Sequence, residues 1–106
     1  MKVLEILEKI KGTIVTTKIA DVEFDGIYAG DLLSHVMGHA KEKNMFLTIM
    51  SNMNTIAVAS LLDLPVIVLA EDVQPTKDMI QKAEEEGIMI ITTTKNVVEV
   101  IRHIYA

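Results

Sequence analysis

The chain has 106 residues, half of them hydrophobic, with two Phe, two Tyr, no Trp, no Cys and a formal net charge of −5. That length suits one domain, residues 1–106, with an ordinary core; the missing thiol excludes disulfides, thiolate metal sites and cysteine nucleophiles. The acidic balance, with its basic residues scattered, argues against a nucleic-acid binder, and no apolar run approaches the ~20 residues that span a bilayer.

Glu5 and Glu8 stand where the apolar core of a signal peptide would lie, so a cytoplasmic protein free of membranes is expected. Val3, Ile6, Leu7 and Ile10 recur at helical spacing, with Gly12 as the helix stop. Thr13 to Thr17 reads as a short β-branched strand. Val22 to Tyr28 is a second extended candidate, interrupted by Asp25-Gly26 as a turn or a bulge, and it could supply an antiparallel edge.

Ala29-Gly30-Asp31 opens a helix for which Asp31 is the expected N-cap, with Leu33, Val36, Met37 and Ala40 facing inward. Ser34, His35, Gly38 and His39 fall on the other side. Three apolar runs follow: Phe46 to Met50, Val66 to Leu69 and Ile88 to Ile91. Each is continuous rather than alternating, as in strands buried on both faces. Each precedes a polar turn and a helical pattern. Thr55 to Leu62, with Asn54 as its cap, shows little polar character on any face. Thr76 caps a helix to Glu86 whose inward face holds Ile80 and Ala83, and Gly87 ends it. Asn96 with Glu99 forms a capping box ahead of the stripe Val97, Val100, Ile101, Ile104 and Tyr105. The repeat of strand and helix specifies an α/β fold, three-layered, with a mostly parallel sheet flanked by helices.

Ligands of such sheets bind beyond the carboxyl ends of the strands, where connections diverge. Gly30 and Asp31, the turn Ser51, Asn52 and Asn54, and Thr92 are the candidate binding residues at that edge. Helix N-termini there can present N–H groups to a small anion. Neither G-x-G-x-x-G nor G-x-x-x-x-G-K-[ST] occurs, which removes the usual route to phosphoryl transfer. His35 and His39 are four apart, yet Val36 stands where a zincin has Glu, so no metal site is assigned. Asp31, Ser34 and His35 cannot form a triad on one helix, because neighbouring positions point about 100° apart. The Met residues Met37, Met45, Met50, Met79 and Met89 read as core fillers, and Glu84 to Glu86 as a solvated face.

Tyr28 to Met37, Asn54 to Leu62, Pro75 and Ile80 to Ile88 together resemble the DRTGG domain family, over residues 3 to 105. The Gly-Asp-Leu-Leu-Ser and Ala-Val-Ala-Ser stretches are its more specific parts. The pentapeptide that names the family is not present. The resemblance implies a stand-alone relative of domains attached to phosphotransacetylases and to CBS-containing pyrophosphatases, where they look regulatory or dimer-forming. It is similar too to the N-terminal, non-kinase domain of HPr kinase/phosphorylase. The expectation is a non-catalytic regulatory domain without a cofactor. It would self-associate as a homo-oligomer, a dimer first, and bind a small anionic ligand, a nucleotide or a partner enzyme. The alternatives are a structural adaptor with no pocket, or a metabolite enzyme in which Asp31, His35 and the Ser51–Asn54 turn meet across one pocket.

Overall fold

The three continuous apolar runs form the centre of the sheet, and every residue of each resulting strand is buried. The computed structural model describes residues 1–17 and 21–106. Its elements in chain order are α1 (Val3–Ile6), β1 (Thr13–Ile14), β2 (Ile27–Ala29), α2 (Leu33–His39), β3 (Met45–Thr48), α3 (Met53–Leu61), β4 (Val66–Leu69), α4 (Lys77–Glu86), β5 (Met89–Thr92) and α5 (Val97–Tyr105). The sheet order is β1-β5-β4-β3-β2. β2 to β5 are mutually parallel, and β1 pairs antiparallel with β5 through Thr13↔Thr92 and Ile14↔Ile91.

Because the chain steps from β2 to β5 in one direction, right-handed crossovers put α2, α3 and α4 on the same face. There Val36, Ile56, Ala59, Met79 and Ala83 cover Phe46, Ile67, Leu69 and Ile90. On the other face Val3, Ile6, Ile10, Phe24, Val100 and Ile104 cover Met45, Leu47, Val66, Val68 and Ile91. Alternate residues of one strand thus feed two separate cores, which makes the fold the three-layer α/β arrangement expected.

The N-terminal third departs from expectation. The first helix is one turn, and Lys11 ends the turns that follow it with a left-handed φ of 50°. Gly12 serves a different purpose from a stop: a Cβ there would lie 2.8 Å from Ile91 Cγ2. The antiparallel edge is Thr13–Ile14, extended by Val15 N–H to the Ile90 carbonyl, and not Val22 to Tyr28. That second segment is broken by a turn at Gly26, with φ of 75°; Glu23 bridges Lys2, and β2 joins the parallel sheet. Propensity alone cannot tell an edge strand from a segment crossing the sheet, because pairing partners decide it.

Caps differ similarly. Leu32, not Asp31, precedes α2, without a side-chain cap. Asn52, not Asn54, caps α3, its Oδ1 accepting from Asn54 N at 2.9 Å and Thr55 N at 3.3 Å. Thr76, Gly87 (φ 72°) and the Asn96–Glu99 capping box are as expected. Met37 is 48% exposed rather than core, and Tyr105 also lies at the surface, whereas Met45, Met79 and Met89 are buried. On the solvated face of α4, hydrogen bonds from Thr17 hold the Glu84 carboxyl below its ordinary range. The Ser60 hydroxyl and Lys82 do the same for Glu86. No helix among the described residues is long and apolar enough to cross a membrane.

Candidate functional site

Parallel strands gather their carboxyl ends, and the starts of the following helices, at one edge of the sheet. Here Gly30, Ile49, Ala70 and Thr93 are the first residues beyond β2, β3, β4 and β5. Since β2 to β5 are consecutive in space, the order never reverses; connections diverge only after β5, where the chain passes to α5 on the opposite face.

A cavity of about 540 Å³ lies at the other, amino edge, between Met1, Phe24, Lys43 and Pro65, with Glu23, Asp25 and Asp63 on its wall. At the carboxyl edge a cavity of about 320 Å³ opens beside the start of α5. Its floor is Ala29, Gly30 and Asp31 from the end of β2 and Leu47, Thr48 and Ile49 from the end of β3. Glu71 and Val97 close the remaining sides. The smaller cavity is the candidate site because the ends of β2 and β3 and the start of α5 meet at it, whereas the larger sits beneath the strand starts.

Local geometry explains the wall. Gly30 donates its N–H to the Leu47 carbonyl at 3.1 Å, and a Cβ on it would come within 3.3 Å of the Tyr28 ring. Thr48 Oγ1 accepts from Met50 N at 3.1 Å, turning the chain away from the sheet. Glu71 and Asp72 both have left-handed φ values, 59° and 61°, in a turn closed by Val73 N–H to the Ala70 carbonyl at 3.2 Å. Non-glycine residues occupy that region at a cost, so surrounding structure must hold them there. Glu71 N–H to the Lys95 carbonyl and Asp72 N–H to the Thr93 carbonyl, both 2.9 Å, do so.

The expected site residues divide. Gly30 and Asp31 line this cavity, but Ser51, Asn52 and Asn54 do not. Ser51 Oγ donates to the Gln74 carbonyl at 2.6 Å, Asn52 caps α3, and Asn54 sits exposed in its first turn. Thr92 is buried at the end of β5, in register with Thr13 and Leu69. His35 stacks on His39 on the exposed side of α2, with ring centroids 3.8 Å apart, and does not join Asp31 in the cavity. The arrangement that the enzyme alternative required is therefore not assembled. Three-member clusters of His, Asp or Glu able to hold a metal are absent among the described residues.

Ile49 and Val97 read from the sequence as parts of an apolar run and of a core stripe, not as site residues. Ile49 had a signal, since the apolar run continues two residues, Ile49 and Met50, past the end of β3. The left-handed backbone of Glu71 had no signal, because Glu-Asp is not a dipeptide that announces it.

Comparison with known proteins gives the fold independently. No protein-family model and no curated protein matches the chain. A solved structure of the CBS and DRTGG domains from the regulatory region of Clostridium perfringens pyrophosphatase, complexed with its activator diadenosine tetraphosphate, is similar with a TM-score of 0.78. Sequence identity is 16% over 93% of this chain, and the chain spans 44% of that one. The three-layer α/β fold read from the repeat of strand and helix is thus shared with part of a solved regulatory region that contains a DRTGG domain.

Proposed function

We propose that residues 1–106 act as one non-catalytic regulatory domain that senses a small ligand in the carboxyl-edge cavity. The observation that carries this reading is the cavity itself, sited where open parallel sheets bind ligands. Its lining offers Asp31, Glu71 and the engaged Thr48 hydroxyl as side-chain functional groups, with no nucleophile held by a base. The similar pyrophosphatase region is a regulatory one bound to an activator, which fits a sensing role. In this reading Gly30 and Asp31 touch the ligand. Ser51, Asn52, Asn54 and Thr92 keep the neighbouring edge in shape.

A thermal-unfolding screen against nucleosides, nucleotides, phosphorylated metabolites and divalent metals tests it. A ligand at about 100 times its Kd adds roughly 2.7 kcal/mol, which moves the transition by several degrees in a domain this small. That shift should vanish in Ala29→Phe, whose ring would fill the floor. Silence across the panel would favour a structural adaptor.

The chain is also proposed to self-associate, through α3. Met53, Ala57 and Leu61 stand four residues apart on its exposed side, and Leu61 is 67% exposed. Such a stripe is what a second helix buries. Sedimentation should give two copies for the native chain and one for Leu61→Glu; a monomeric native chain removes this part of the proposal.

A further inference from the structure

The chemistry of the carboxyl-edge cavity narrows what can occupy it. We infer that it takes a phosphate-free, hydroxyl-bearing ligand with one apolar face, of nucleoside type, and does not take a phosphate group. The inference rests on the regulatory reading above.

Two features exclude a phosphate. First, no Lys or Arg among the described residues lines the cavity, while Asp31 and Glu71 do, so a phosphate would enter a site of its own sign. Second, the start of α5, beside the cavity, already carries a carboxylate. Glu99 Oε1 accepts from Asn96 N at 3.0 Å and Asn96 Oδ1 from Glu99 N at 2.8 Å, which puts a carboxylate at the positive end of α5, beside Val97 of the wall. Asn52 accepts from two N–H groups in the first turn of α3, and Thr76 from one in the first turn of α4. At α5 the chain's own carboxylate therefore stands where the helix dipole would draw a phosphate.

The same walls suit a nucleoside. Ionised carboxylates only accept hydrogen bonds, so Asp31 and Glu71 call for ligand O–H or N–H groups, and a ribose diol on an acidic side chain is a recurrent pairing. Glu71 is held in place by the left-handed turn and its two backbone anchors, so its carboxylate is offered from a fixed backbone. Ala29, Leu47, Ile49 and Val97 supply the apolar surface against which a base ring can lie. About 320 Å³ falls near the lower bound of small-ligand sites, which suits one nucleoside rather than a dinucleotide.

Calorimetric titration of the full chain with adenosine and uridine, with their 5′-monophosphates and triphosphates, and with tyramine as an amine probe tests this. At least one nucleoside should bind ten times more tightly than its own monophosphate. Asp31→Asn and Glu71→Gln should each weaken that nucleoside about tenfold while improving the monophosphate. Ala29→Phe should abolish binding. Tighter binding of a nucleotide, lost in Ala29→Phe, overturns this inference and leaves the sensing role standing. Binding of tyramine alone, with the same loss, does likewise. Binding of nothing, or binding indifferent to Ala29→Phe, overturns both.

Discussion

Replacing Phe46 with Ala is expected to remove about 3–5 kcal/mol of stability, the usual range for deleting a buried aromatic ring. Phe46 has no exposed surface and lies on β3, the second strand in from the β2 edge, facing the layer of α2, α3 and α4. Val36 of α2, Ile56 of α3 and Ile67 of β4 belong to the same cluster, so no single neighbour can close the void. Since total stabilities run about 5–15 kcal/mol, the variant should retain only a marginal fold. Its transition should fall by more than about 12 °C at the 4–8 °C per kcal/mol typical of domains near this size. Phe46→Leu should recover most of the loss. A Phe46→Ala chain within 1 kcal/mol of the native one, by urea titration, would mean that this core is not packed as described.

Thr93→Val should cost about 1–3 kcal/mol although it preserves shape, because it strands a buried acceptor. The Thr93 hydroxyl donates to the Ile10 carbonyl at 2.6 Å and accepts from Lys95 N at 3.2 Å. It ties the end of the N-terminal turns to the strand edge that frames the cavity. Thr93→Ser keeps the hydroxyl and should lose less than half as much. Hydrogen exchange should locate the damage: amides of residues 3–10 should open faster in Thr93→Val than in Thr93→Ser. Equal stability of the two variants would sink the assignment.

Much of the architecture was legible from patterning. Met45–Thr48, Val66–Leu69 and Met89–Thr92 are continuous apolar segments because two helical layers cover them. Thr76, Gly87 and the Asn96–Glu99 box were legible because capping is a local contest over three or four residues. The start of α3 was misread by two residues for an equally local reason. Ser51-Asn52-Met53-Asn54 offers several good caps in a row, and only the backbone path decides that Asn52 wins. Met37 and Tyr105 fit helical stripes yet lie exposed, since each stripe extends past the surface its helix covers.

The sequence by itself determined the layer architecture, the two-sided burial of the sheet and the edge at which helix starts collect. These follow from periodicity and capping, which act over a few residues. Only the tertiary structure decided that Thr13–Ile14 is the antiparallel edge, that Gly12 exists for Ile91, and that Glu23 reaches Lys2. It alone brought Asp31, Ile49, Glu71 and Val97 around one cavity while leaving Ser51, Asn52 and Asn54 outside it. Each of those outcomes depends on which distant segments pair and in what register. Alternation along a strand says which faces a residue can take, but nothing in it names the neighbour.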